Sequence, residues 1–502
     1  MIKNKNFEIA KNIYDSKYFI WAIIFTGILI RFRQYLFNRS LWIDEASLAL
    51  NILKLNYSEL LEPLLHKQAA PPFFLLITKL FTDIAGYSEY VLRLLPFFCG
   101  ITSVILFYYL ATQFLQKKVI PIAVGLLSFS YYAIYYSAEF KQYSVDLLFT
   151  ILIIFFAFKL DESQYQKKYS MYFGFIAVLS TWLSHTSVFV LAGVGFALLY
   201  KITLEKRKYE KANINIIHLK GLIVIGILSI SSFFFHYFFI IRPVPKEYFY
   251  DFWEDSFVPF PPLGLSKIKW YLIKGINVMK NPLGFTFLYG IAFVFLVIGI
   301  ISFLKRKDKL NLNLLLFPIV FLLIASIFHI YPINSRLILF ILPIMYLFMS
   351  EGVCQFIKYF YPNKRLVSIL IIIFLLVYPV SNGFSYLIRP ILRQEIKSVI
   401  EYCLDNKEEN DKIYIYYGAK KAFEYYTWDN KIDTLESVGS NKEKPDEYFR
   451  DLDRLRGKDR IWFIFSHIVR DEDKLFLTYL DHIATQLDSF ETKGSAVYLY
   501  KL

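Results

Sequence analysis

Cysteine is scarce in this chain, with three in 502 residues. Cys99 and Cys354 fall inside apolar runs and Cys403 stands alone near the end, so no disulfide framework organises the fold. Internal repeats and low-complexity tracts are missing. That weighs against a transporter or flippase built from inverted repeats with broken spans in matched positions. A small-residue cleavage site is missing after the first apolar run, Tyr18 to Leu29, which leads straight into Arg31 and Arg33, so a cleaved signal is not expected. Charged residues make up only 20%, against 56% hydrophobic and 19% aromatic. With a mean hydropathy of +0.42 that balance excludes a soluble protein of this size and predicts a polytopic membrane protein. The formal net charge of +14 does not point to nucleic acid. Residues 389–502 carry 19 basic against 22 acidic groups, so the excess lies wholly in the apolar part.

Apolar runs near 18–36, 91–115, 119–136, 144–160, 170–184, 186–203, 219–241, 283–304, 311–330, 336–357 and 366–388 predict about 11 transmembrane helices. The run Pro71 to Ala85 is short, carries Lys79 and Asp83, and opens on Pro71-Pro72, a suitable helix start. Charge assigns it to the membrane surface. With it left out, the connections 1–17, 116–118, 159–168, 201–220, 305–310 and 358–365 fall on one side and hold 22 basic against 7 acidic residues. They include Lys206-Arg207-Lys208 and Lys305-Arg306-Lys307, and by the positive-inside rule that side is the cytoplasm. The expectation is a multi-pass cell-membrane protein with its N-terminus inside. Residues 1–388 form the membrane domain with an outer loop at 37–90. Residues 389–502 form a small extracytoplasmic α/β domain, with strands at Lys412–Tyr417, Arg460–Phe465 and Ala496–Tyr500 and helices near 391–406, 446–456 and 471–486. That tail has no Gly-rich phosphate loop and no metal-ligand cluster, and reads as an acceptor-recognition or stabilising module.

On this topology the outer face gathers Asp44-Glu45, the Pro71-Pro72 helix, Glu139-Phe140-Lys141-Gln142-Tyr143, His185, the loop 242–282 and Tyr331 to Arg336. Ionisable residues converging at one membrane face form a functional-site hypothesis by default. The focus is Asn38 to Leu50, where two adjacent carboxylates follow Trp42, a residue type that settles at the lipid–water boundary. Leu48, Ile52 and Leu55 recur at helical spacing, as in a helix lying on the bilayer. Plainer readings stand beside each candidate. Asp44 would serve as an N-cap and Glu45 as a first-turn acid favoured by the helix dipole. Lys141 would only snorkel, and Tyr131, Tyr132, Tyr135 and Tyr136 would form an aromatic belt. His185 would be a satisfied interface residue, Arg336 a structural ion-pair partner, and the loop 242–282 a connector.

Leu41-Trp42-Ile43-Asp44-Glu45-Ala46, Gln68-Ala69-Ala70-Pro71-Pro72-Phe73-Phe74-Leu75, and Arg93 and Gly100 before a long span resemble the opening of family 39-type membrane glycosyltransferases. These belong to the C-type glycosyltransferase (GT-C) superfamily, with protein O-mannosyltransferases and lipid A aminoarabinose transferases as relatives. Ser137 to Asp146 and Tyr331 to Phe340 resemble stretches of bacterial members. The resemblance is good over about residues 40–150, thinner to 345 and faint in the tail. It implies a GT-C-like fold, an acidic pair in the first outer loop, a proline-containing helix on the membrane and a polyprenyl-phosphate sugar donor. Many relatives place His or Lys beside the proline pair. Here Ala69 and Ala70 stand there, and Lys67, the candidate for a phosphate-binding role, lies further back.

The chemistry assigns roles within that frame. Moving a sugar from a phosphate leaving group to a hydroxyl needs a base for the acceptor proton and cations for the departing lipid phosphate. Asp44 is the expected base, supported by Glu45. Glu139 and Asp146 position the acceptor or a divalent cation, with Asp44 and Glu139 as the candidate metal ligands and metal dependence left open. Arg336 is the leading phosphate ligand, followed by Lys141 and Arg242, with His185 also near the site. The partners expected are a polyprenyl-phosphate-linked sugar, a hydroxyl acceptor (lipid, glycan or protein) and membrane lipids. No cofactor is certain, and inversion at the anomeric carbon is expected. The alternatives are a lipid-linked oligosaccharide ligase or polymerase, or a polytopic transporter.

Overall fold

The apolar runs form helices in the computed structural model, which describes residues 17–208, 212–238, 242, 247–306, 309–360, 365–429, 432, 434–436, 445–469 and 471–502. Parts of several predicted connections (1–16, 209–211, 243–246, 307–308 and 361–364) lie outside the described residues. The first run is α1 (Lys17–Leu36), followed by two shorter helices, α2 (Ile43–Lys54) and α3 (Pro72–Ala85), and by the long α4 (Glu89–Phe114). Their ends follow local chemistry. Pro72 opens α3 where its missing N–H costs nothing, and Gly86, at φ +83°, closes it. The Ser88 hydroxyl then accepts from the Val91 N–H at 3.3 Å to cap α4. With 14 residues α3 reaches about 21 Å, short of the about 30 Å a span needs. Its Lys79 turns inward and donates to the Ile52 carbonyl and the Tyr87 hydroxyl, both at 2.9 Å, which ties α3 to α2.

The run 119–136 was expected as one span. It is two helices instead, α5 (Ile120–Ser128) and α6 (Tyr131–Ser137), bent by 51°. The reason lies on α1. The buried Arg31 guanidinium donates to the carbonyls of Ser128 at 2.8 Å and Leu127 at 3.0 Å, groups left open where α5 ends. Ser130 restarts the chain by accepting from the Ala133 N–H at 3.4 Å. Broken backbone is tolerated at membrane depth because protein groups satisfy it.

Then come α7 (Tyr143–Glu162), α8 (Lys167–Leu183), α9 (Ser187–Lys208) and α10 (Ala212–His236). After two shorter helices, Glu247–Trp253 and Leu265–Lys280, the bundle closes with Tyr289–Lys305, Leu310–Ile327, Leu342–Phe360 and Arg365–Ile388. Among the described residues five helices are long and apolar enough to cross a membrane, six when the bent pair counts as one span, and four shorter apolar helices accompany them. The chain is a multi-pass helical membrane protein, with the count of 11 left as an expectation. Helices Tyr289–Lys305 and Leu342–Phe360 meet through glycine. A Cβ on Gly299 would lie 1.8 Å from the Phe348 carbonyl oxygen, and one on Gly352 1.9 Å from that of Phe295.

Beyond Ile388 the chain builds a five-stranded sheet in the order β2-β1-β3-β5-β4, from β1 (Lys412–Ile415), β2 (Thr434–Glu436), β3 (Ile461–Ser466), β4 (Thr485–Thr492) and β5 (Ser495–Lys501). β1 runs parallel to β2 and β3, and β5 antiparallel to β3 and β4. Alternation along the strands gives two buried faces. One packs Tyr414, Tyr416, Phe463 and Phe465 against Tyr448, Leu452, Phe476 and Leu480. The other sets Ile413, Ile415, Trp462 and Ile464 in a core continuous with the helix bundle. Helix Ile396–Asn406 packs against β3, β4 and β5, and helix Lys420–Tyr426 packs on α2. β2 and β4 were not read from the sequence, since β2 is three residues long and β4 is a polar edge strand.

Candidate active site

Trp42 enters α2 in extended conformation (φ −82°, ψ 171°) and caps nothing with its side chain, so the helix begins before Asp44 and Asp44 is not its N-cap. Nor does α2 lie on the bilayer. Glu45 through Ile52 are buried, because helix Lys420–Tyr426 of the tail covers α2 and Lys54 pairs there with Glu424. Trp42 is 2% exposed and belongs to the core, not to a lipid boundary.

The two adjacent carboxylates meet different neighbours. Glu45 is fully buried, 0% exposed, and grips two arginines. Arg93 from α4 forks onto it, Nε to Oε1 at 2.9 Å and Nη2 to Oε2 at 2.9 Å, while Arg39 Nη1 lies 3.0 Å from Oε2. The Phe140 N–H adds a further bond to Oε1 at 2.7 Å. Burial works to raise the Glu45 pKa, but Arg39 and Arg93 hold it below the ordinary carboxylate value. Arg93 also donates to the Arg39 carbonyl at 2.7 Å, so the knot fixes the backbone that leads into the acidic pair. Glu139 joins it from the loop after α6, 3.4 Å from Arg39 Nη2 and 3.9 Å from Arg393 Nη1. Burial first, and the Glu45 charge second, push its pKa up, and its buried Oε1 has no hydrogen-bond partner among the described residues.

Asp44 faces the other way. Its Oδ2 meets Arg336 Nη1 at 2.7 Å, and both side chains keep an open face, 27% and 19% exposed. Burial alone would raise the Asp44 pKa. Lys141, Arg336 and Arg393 together hold it below the ordinary aspartate value. Lys141 is buried beside them and donates to Gln68 Oε1 at 2.7 Å, and burial lowers its pKa. Five of the predicted residues (Asp44, Glu45, Glu139, Lys141 and Arg336) therefore come together at the end of the bundle beneath the sheet.

The others stand apart. Asp146 accepts from Ser184 Oγ at 2.6 Å and serves the α8–α9 turn. His185 stacks on His236 with ring centroids 5.1 Å apart and bonds to the Ala70 backbone; burial, then His236, hold its pKa down to about 3, so it stays neutral. Lys67 is exposed in a 3-10 turn. Arg242 lies exposed after α10 with its guanidinium over Phe238 at 5.6 Å, and no contact joins it to Asp44 among the described residues. The proposed metal ligands do not fit that role, because Asp44 and Glu139 each face guanidinium groups. Among the described residues no group of three metal-ligating side chains forms. The sequence reading missed Arg39 and Arg393, since each reaches its partner from a stretch without periodic signal.

Residues 69–234 match the family described as dolichyl-phosphate-mannose-protein mannosyltransferase. No curated protein sequence matches the chain. Among solved structures the fold is similar to ArnT from Cupriavidus metallidurans bound to undecaprenyl phosphate. The TM-score is 0.52 at 9% identity, covering 96% of this chain and 97% of that one. It is also similar to the Archaeoglobus fulgidus oligosaccharyltransferase in complex with Zn and sulfate, with TM-score 0.53, 12% identity, and 95% and 72% of the two chains covered. The Archaeoglobus fulgidus oligosaccharyltransferase AglB with an inhibitory peptide and a dolichol-phosphate gives TM-score 0.51 and 10% identity, over 96% and 74%. The chain shares its fold with these solved membrane proteins, and its residues 69–234 are similar to the dolichyl-phosphate-mannose-protein mannosyltransferase family.

Proposed function

We propose that the chain moves a sugar from a polyprenyl-phosphate donor to a hydroxyl acceptor, with Asp44 as the base and Arg336 as the leading ligand of the lipid phosphate. The observation that carries this reading is the half-open Asp44–Arg336 pair at 2.7 Å, set against neighbouring charges that are closed off. The acceptor O–H gives its proton to Asp44 as its oxygen bonds to the anomeric carbon. The bond from that carbon to the phosphate oxygen breaks, and the lipid phosphate leaves with the electron pair. An inverting transfer puts base and leaving group on opposite faces of the sugar, so the 2.7 Å contact opens as the donor arrives. The incoming phosphate takes Arg336, and loss of that cation makes Asp44 a stronger base where the acceptor binds. Glu45 supports the reaction by holding the loop rather than by touching substrate. The ligands named for the two neighbours, undecaprenyl phosphate and a dolichol-phosphate, agree with such a donor.

The basic connections support a topology with the N-terminus in the cytoplasm and the sheet outside the cell membrane. Cysteines at exposed Glu401 and Gln116 test this with an impermeant reagent: the first labels from outside and the second does not. For the activity itself, purified protein is given polyprenyl-phosphate monosaccharides and a hydroxyl acceptor without any ion gradient. Release of polyprenyl phosphate matched by transferred sugar supports the reading, and lipid movement without cleavage overturns it.

A further inference from the structure

We infer that Arg393, from the segment joining the last bundle helix to the sheet, is a second binding group for the lipid phosphate, so that the tail contributes to the chemistry as well as covering it. This rests on the donor assigned above. Of the cations in the cluster, Arg39 and Arg93 are spent on Glu45, and Lys141 on Gln68. Arg393 has looser partners: Glu139 at 3.9 Å and the Tyr135 hydroxyl at 3.3 Å. Its side chain is 35% exposed. Its guanidinium carbon stands over the Trp42 ring, 3.2 Å from the centroid, and that of Arg336 stands over the same ring at 5.3 Å. Two part-open guanidiniums thus stand over one indole next to Asp44. That arrangement suits a phosphate more than a neutral sugar, because planar N–H forks match phosphate oxygens.

The position is built from both sides. Gln34 of α1 bonds both the N–H and the carbonyl of Ile391, at 2.8 and 3.0 Å. Ser40, in the acid loop, meets Glu395 and the Lys397 N–H at 3.1 to 3.2 Å. From the sheet, the Lys493 carbonyl accepts from the Glu395 N–H at 2.9 Å, and Gly494, at φ +72°, comes so near that a Cβ would lie 2.6 Å from the Arg393 carbonyl. Bundle, acid loop and β4–β5 hairpin all converge on this one arginine.

The charge balance of the reaction gives Arg393 a measurable signature. The donor phosphate is a diester with one negative charge, and the leaving polyprenyl phosphate is a monoester that gains a second. A cation aimed there binds the leaving lipid more strongly than the donor and speeds transfer. The test uses the full chain in detergent, with polyprenyl phosphate itself as the probe, in wild type, Arg336→Gln, Arg393→Gln, Arg393→Lys and Gln34→Ala. Arg393→Gln is expected to weaken polyprenyl phosphate binding roughly 10–100-fold, the range of a lost charge-assisted contact. It should also slow single-turnover transfer while weakening donor binding less, with Arg393→Lys recovering part of both. Gln34→Ala loosens the arm and leaves every charge in place. If Arg393→Gln lowers the melting temperature as much as Gln34→Ala does and Arg393→Lys recovers no binding, Arg393 only holds the arm and the inference is overturned. Wild-type affinity in Arg393→Gln overturns it too, while leaving the donor assignment intact if Arg336→Gln binds weakly. A wild-type chain that does not bind polyprenyl phosphate sinks the donor assignment, and this inference with it.

Discussion

Asp44 and Glu45 are neighbours of the same chemical class on the same first turn of α2, yet they sit in opposite surroundings. Glu45 is sealed from solvent and saturated by Arg39, Arg93 and the Phe140 N–H. Asp44 is bound on one side to Arg336 and open on the other. Carboxylate identity therefore says little about role. What decides is whether lone pairs remain for a substrate and whether the paired cation can be drawn away. The closed knot spends its charges on shape, since removing one partner of a buried pair strands the other. The open edge leaves its charges available for chemistry.

The largest expected effect breaks the knot. Glu45→Gln strands Arg39 and Arg93 and should cost about 3–5 kcal/mol, read as a collapsed melting temperature or loss of folded protein. The same change at Asp44 should leave melting within a few degrees. If Glu45→Gln melts as wild type, the contrast between the two acids is wrong. Next comes the open edge. Arg336→Lys keeps the charge and loses the planar fork, so donor affinity should fall about 10-fold with melting little changed. A shift in pH dependence sharpens the comparison further. The Asp44 pKa in the folded chain lies below its unfolded value, held there by Lys141, Arg336 and Arg393 against the opposing effect of burial. Its ion pair therefore stabilises fully at neutral pH, and this is lost as pH falls below the ordinary aspartate value. The acid limb of kcat/KM should sit equally low in wild type and move upward in Arg336→Gln; an unmoved limb would assign it to another group. The smallest effect is expected at the edge of α2. Lys54→Ala removes a part-exposed pair with Glu424 and should cost less than about 1 kcal/mol.

Much of this was legible before the fold. Asp44 and Arg336 stand out because charge at the end of an apolar run is expensive without a use, and the basic connections put both on one face. Arg393 was not legible, because its partner Trp42 lies some 350 positions earlier and nothing local marks the meeting. Trp42 was misread for the same reason: a tryptophan near a span end suits a lipid boundary until a distant segment covers it. The break at Ser130 was hidden because apolar composition runs on through 119–136, while Arg31, which satisfies the open carbonyls, sits 97 residues away. His185 and Arg242 carried the right residue types in the right loops. Side-chain direction, which no local pattern encodes, sent them elsewhere.

Asp44→Asn is the most direct test of the central claim. Asparagine keeps the size of the side chain but takes up no proton at working pH, so the variant should fold and insert, with a melting temperature within a few degrees of wild type. It should bind the polyprenyl-phosphate donor at least as well as wild type, because Arg336 is released from its carboxylate. Single-turnover transfer on the same preparation should fall on the order of 10²–10⁴-fold. A stable Asp44→Asn protein that transfers sugar at the wild-type rate would contradict the account.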